Sequence, residues 1–234
     1  MENLDSHVPD WIDKNDLETQ FLYTKFIEVI SRYTNDLNIA DSLFKDIQKN
    51  YSAKNRHYHN MTHIYRMCNE WMRVRRILDN PDAVFFMIMY HDIIYKSRRV
   101  DNEQQSADYF IKDVAPKLNW NMTDEFVMDV NMGILVTKHD GMLDEVVKNN
   151  KDFQYLLDFD LEVLGANAPG VYEWYRKGVR KEYRIHPNIL YKPGRKKVLE
   201  SFLSREKIYL TKEFEIKEKY ARKNLLDEIN LYLC

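Results

Sequence analysis

The stretch NPDAVFFMIMYHDIIY, residues 80–95, decides the fold. Asn80 followed by Pro81 is the pattern of a helix N-cap with proline at the first helical position. From Ala83 to Tyr90 the residues are apolar on nearly every side, which predicts a helix central to the molecule and running to about Tyr95. His91 and Asp92 interrupt that run. An imidazole and a carboxylate are costly to bury alone, so the pair needs a protein counter-charge, a way out to solvent at the last helical turn, or a metal cation.

Outward from this stretch the chain keeps a helical period. Phe21, Leu22, Phe26, Val29 and Ile30 recur at three and four, and so do Met61, Ile64, Met67, Cys68, Trp71 and Val74, behind a candidate cap at Asn60. Asp101 or Asn102 can cap a helix that runs to about Ala115, before Pro116, and Thr123 can cap the next. Gly165 can end the helix carrying LLDFDLEVL, while Pro169 and Thr211 can open two later ones. Residues 138–152, KHDGMLDEVVKNNKD, read as a polar, mobile connection. With six glycines, six prolines and no sustained period of two, sheet is disfavoured. The expectation is an all-α protein in one domain, 1–234, with residues 1–19 a loosely ordered N-terminal segment.

Composition narrows the class of partner. Lys+Arg 35 against Asp+Glu 37 gives a net charge of -2, so no global positive field recruits nucleic acid or an anionic membrane. Cys68 and Cys234 are too few for a disulfide framework and suggest a reducing compartment. The N-terminus MENLDSHVPDWIDKND lacks a signal pattern and the run AVFFMIMY is too short for a bilayer, so a cytoplasmic, soluble protein is expected.

Three of the seven histidines, His57, His59 and His63, fall within RHYHNMTHIYRM, residues 56–67. If Asn60 caps the helix, His63 lies inside it and His59 on the loop approaching it, while His57 reads as a surface residue. His63, the His91–Asp92 pair, and Asp158 or Asp160 then sit on three helices and can converge. Mixed nitrogen and oxygen ligands suit Mn²⁺, Fe²⁺ or Zn²⁺.

The order His, His-Asp, Asp resembles the HD superfamily of metal-dependent phosphohydrolases. The words RHYHNMTHI, YHDIIY, DNEQQSA, LDFDLEVLGA and GRKKVLESFLSREKIY, in that order from about residue 20 to the C-terminus, are similar to one branch of it, small bacterial proteins described as predicted metal-dependent HD phosphohydrolases. The resemblance implies an HD-domain helical bundle with additional C-terminal helices. It implies a divalent ion (Mn, Fe, Zn, Mg, Co or Ni) held by His63, His91, Asp92 and Asp160, with Asp158 a rival for the last place.

The activity so implied is hydrolysis of a phosphoester or phosphoanhydride in a phosphorylated small molecule, a nucleotide or related metabolite. A divalent ion acidifies its water and polarises a phosphoryl oxygen. Asp92 would orient that water, and Glu103 is either a base behind it or a first-turn carboxylate favoured by the helix dipole. Arg56, His59, Arg99 and His139, with Lys96 and Arg98, are candidate phosphate contacts, and GRKKVL adds Arg195. His139 is also a candidate extra metal ligand. Two other classes share these residues: a metal and nucleotide sensor without turnover, and a di-iron oxygenase.

Overall fold

A computed structural model of the chain describes residues 8–141 and 143–232, so Cys234 lies outside the described residues. Among the described residues there are eleven α-helices and no strand, as expected of an all-α protein. Contacts divide the chain into two compact units, Met1–Leu156 and Leu157–Cys234.

The first unit contains α1 (Leu17–Ile30), α2 (Leu37–Tyr51), α3 (Met61–Val74), α4 (Pro81–Tyr90), α5 (Asn102–Tyr109), α6 (Glu125–Val136) and the short α7 (Asp144–Lys148). α4 is its centre. Asn80 Oδ1 accepts the Ala83 N–H at 3.1 Å, Pro81 follows, and every side chain from Ala83 to Tyr90 is at most 1 % exposed. At about 1.5–3 kcal/mol for each large apolar side chain buried, this one helix is a major share of the unit's hydrophobic stabilisation. Phe86 sits among Tyr33, Tyr90, Phe110, Trp120 and Phe126, with ring centroids 5.4–6.3 Å away, mostly tilted or edge-on. α6 lies directly against α4, since a β-carbon at Gly133 would run into the Met87 side chain. Before α1, Ile12 is buried and the Trp11 ring meets Tyr23 edge-on at 5.7 Å, so the chain is anchored well ahead of the first helix.

Several boundaries differ from the sequence expectation. α4 stops at Tyr90, not near Tyr95, because partners outside the helix take the groups that would extend it. The Ile88 carbonyl accepts from His91 Nδ1 at 2.9 Å, so the Asp92 N–H turns to Tyr51 Oη at 3.2 Å, and the Ile94 N–H goes to Ser106 Oγ at 3.1 Å. The helix begun by α5 passes through a π turn, Phe110–Val114, into a 3₁₀ turn, Ala115–Leu118, that carries Pro116 rather than stopping before it. Asp124, not Thr123, precedes α6. The segment expected to be a mobile connection contains α7 and the start of α8 (Lys151–Asp160).

The second unit comprises the last residues of α8, a 3₁₀ turn at Glu162–Gly165, α9 (Val171–Glu182), α10 (Asn188–Leu203) and α11 (Glu218–Asn230). α9 starts two residues after Pro169, behind Gly170 at φ 82°. Thr211 opens no helix: its N–H and hydroxyl donate to Asp158 at 2.7 and 2.6 Å, and α11 begins only at Glu218. The interior holds a buried ion pair in which Arg195 Nε donates to Glu228 Oε1 at 2.9 Å. Tyr172 and Tyr232 hydroxyls donate to the same carboxylate at 2.6 and 2.7 Å, so α9, α10 and α11 are joined through one glutamate.

Candidate metal centre

α3 and the end of α4 supply the first two imidazoles. Asn60 caps α3 through a long bond from the His63 N–H at 3.4 Å, which places His63 in the first turn and leaves His59 on the loop before it. His91 is the C-cap of α4, with its N–H still donated to Met87 O at 2.8 Å, and Asp92 follows where the helix has opened.

His63 Nε2 lies 3.2 Å from His91 Nε2, and His91 Nε2 lies 3.4 Å from Asp92 Oδ2. The three ligand atoms are all within 4.8 Å of one another, and the residues are 2 %, 1 % and 7 % exposed. Bonds of about 2.1 Å from one cation would put neighbouring ligand atoms about 3.0 Å apart at right angles and about 3.4 Å apart at tetrahedral angles. The His63–His91 and His91–Asp92 spacings match those values, and the set of two imidazoles and one carboxylate could hold a metal ion. A carbonyl only accepts, so His91 Nδ1 carries the hydrogen given to Ile88, and in the neutral ring Nε2 keeps its lone pair toward the cluster.

The turn that presents this pair is held by side chains from around it. Tyr51 Oη accepts the Asp92 N–H, while Arg56 donates to Asp92 O at 2.7 Å, Ile93 O at 2.9 Å and His59 O at 3.1 Å. Ser106 Oγ takes the Ile94 N–H and returns its own hydrogen to Ile94 O at 3.2 Å. The Asn102 amide does the same for Lys96, at 2.9 and 3.1 Å. Asn102 and Ser106 are four apart on α5 and both buried, which explains why DNEQQSA carries polar residues on an inward face. That periodicity was the available signal for them. Tyr51 had none beyond its place at the end of α2.

Glu103, also on α5, is half-buried; burial raises its pKa, the charge of Asp92 adds to the rise, and Lys138 and His139 oppose it. Those influences bring Glu103, Asp92, Lys138 and His139 into one neighbourhood. His139 holds a left-handed backbone at φ 56°, a conformation that costs a residue with a β-carbon about 1 kcal/mol. The His59 ring is stacked on Tyr95 at 4.2 Å and meets His63 edge-on at 5.7 Å. Lys96, Arg98 and Arg99 are exposed, and Arg99 forms a two-pronged pair with Asp101 at 2.8 and 2.6 Å.

Two arginines proposed for phosphate have other occupations. Arg56 is buried and clamps three carbonyls, with Tyr51 and Tyr95 rings 4.7 and 5.5 Å from its guanidinium. Arg195 is buried against Glu228 and donates to Tyr175 Oη at 2.9 Å. Of the two aspartates in LDFDL, Asp158 is fully buried and both its oxygens accept bonds from Leu210 and Thr211. Burial pushes its pKa up to about 7, against those donors. Asp160, the last residue of α8, lies in the second unit, where its charge adds to the raised pKa of Tyr175.

The second unit also has a cleft of about 460 Å³ between the start of α9 and α11. Its charges close on one another, Arg176 with Glu173 and Lys223 with Asp227. No helix among the described residues is long and apolar enough to cross a membrane. Comparison with protein-family models, curated proteins and solved structures gives no match.

Proposed function

We propose that the protein is a metal-dependent phosphohydrolase of the HD type, acting on a phosphorylated small molecule, a nucleotide or related metabolite. The observation that carries this reading is the buried cluster of His63, His91 and Asp92, with His91 Nε2 3.2 Å from His63 Nε2 and 3.4 Å from Asp92 Oδ2. A divalent cation held there supplies two things, an acidified water and a polarised phosphoryl oxygen.

The chain's own groups do the rest. His63 and His91 hold the ion as neutral imidazoles, and the Ile88 carbonyl fixes the His91 ring so that it cannot rotate out of register. Asp92 would be the carboxylate ligand and would orient the attacking water. Glu103 takes the proton: burial and the neighbouring Asp92 raise its pKa, which makes its carboxylate a stronger base. His59, beside His63, and His139, near Glu103, would supply hydrogen bonds to phosphate oxygens, with the exposed Lys96 and Arg98 as nearby positive charges.

The test is to load the purified protein with Mn²⁺ or Co²⁺ and assay release of phosphate or pyrophosphate from a panel of phosphorylated metabolites. Turnover that vanishes with chelator is expected, and Glu103→Gln is expected to keep its metal and slow about 100-fold. Stoichiometric metal without release from any substrate would support a sensor in place of an enzyme. Two irons per chain would support an oxygenase. Asp160→Ala, assayed alongside, decides whether that aspartate belongs to the ligand set.

A further inference from the structure

We infer that Arg56 and Tyr51 are positioning residues that set the spacing of the metal ligands; this rests on the metal reading above. The Arg56 side chain reaches both ligand-bearing segments. One of its N–H groups goes to His59 O, directly before the cap of the helix that carries His63, and two go to Asp92 O and Ile93 O at the ligand turn. The His63-to-His91 separation of 3.2 Å is therefore tied to a single rigid fork. Tyr51 acts twice: its ring faces the guanidinium at 4.7 Å, and its hydroxyl accepts the Asp92 N–H. Tyr95 faces the same guanidinium at 5.5 Å and stacks on His59, so the clamp also reaches the ring beside the first ligand.

Electrostatics alone would place no arginine here. A buried positive charge beside a cation site repels the cation, so removing it should tighten metal binding. If Arg56 works by geometry, removing it should weaken metal binding. The two effects have opposite signs, and one titration separates them.

The experiment measures Mn²⁺ affinity by calorimetry and the visible spectrum of the Co²⁺ form for wild type, Arg56→Lys, Arg56→Met and Tyr51→Phe. Lysine keeps the charge and loses the fork; phenylalanine keeps the ring and loses only the hydroxyl. All three are expected to bind Mn²⁺ more weakly, Arg56→Lys and Arg56→Met by 10- to 100-fold, which is the range for residues that orient ligands. A changed Co²⁺ spectrum should accompany the loss, at temperatures where the metal-free variants remain helical by circular dichroism. Wild-type affinity in Arg56→Lys, or tighter binding in Arg56→Met, overturns the inference. If neither arginine variant folds, Tyr51→Phe decides it, and unchanged affinity and spectrum there overturn it. Failure of wild type itself to bind Mn²⁺ or Co²⁺ overturns the metal reading and this inference together, and is recognised because the wild-type titration is flat.

Discussion

Two buried polar clusters, one in each unit, are built differently. In the second unit Glu228 meets Arg195, Tyr172 and Tyr232, a negative charge surrounded by donors. In the first unit His63, His91 and Asp92 bring atoms that carry lone pairs to within 4.8 Å of one another. Opposite charges that close on each other make a scaffold. Gathered lone pairs make a place for a cation, at some expense to the stability of the metal-free chain. The difference singles out the cluster that could hold a metal ion.

Substitutions can break that distinction. Arg195→Met should destabilise the protein by about 3–5 kcal/mol in urea, because it strands the buried Glu228 carboxylate, and adding Glu228→Leu should recover much of the loss. If the single variant is as stable as wild type, the ion pair is not scaffold. Asp92→Asn should do the reverse. Its metal-free stability should equal or exceed wild type, while Mn²⁺ affinity drops more than about 100-fold, or about 2.7 kcal/mol. A large loss of metal-free stability would mean the two clusters are of one kind.

Smaller effects sharpen the same contrast. Tyr172→Phe removes one bond to a charged acceptor and should cost about 1.5–2 kcal/mol with no change in metal affinity. pH gives the weakest signal. Burial alone would raise the Glu228 carboxyl, but Arg195 and the two tyrosine hydroxyls outweigh it and hold the pKa below the usual glutamate range. A lowered folded pKa means stability that is present above that range and lost as pH falls through the folded value. Thermal melts from pH 6 to pH 3 should show this loss, and Glu228→Gln should flatten it.

The all-helical fold, and the closeness of His63 to the His91–Asp92 pair, were legible in the sequence. An all-apolar run behind Asn-Pro reads as a central helix whatever surrounds it, and a His-Asp pair at its end needs an explanation that His63 helps to supply. The end of α4 was not legible, since it depends on Tyr51 and Ser106, residues 41 and 12 positions away from the amides they hold. Arg56 and Arg195 misled for a related reason. An arginine near a candidate site looks the same in sequence whether it faces a phosphate or a backbone carbonyl, and only burial separates the two. Asp158 and Asp160 share a helix two positions apart, and helical spacing could not show that the first is occupied by Leu210 and Thr211.

The segment just past α4 has no regular secondary structure, yet side chains hold the amides of Asp92, Ile94 and Lys96 as firmly as a helix would. In deuterated water those three amide protons should be retained on the timescale of the buried helices, whereas the neighbouring exposed Arg98 should exchange early. A stretch that looks like a loop would then be among the last parts of the first unit to open.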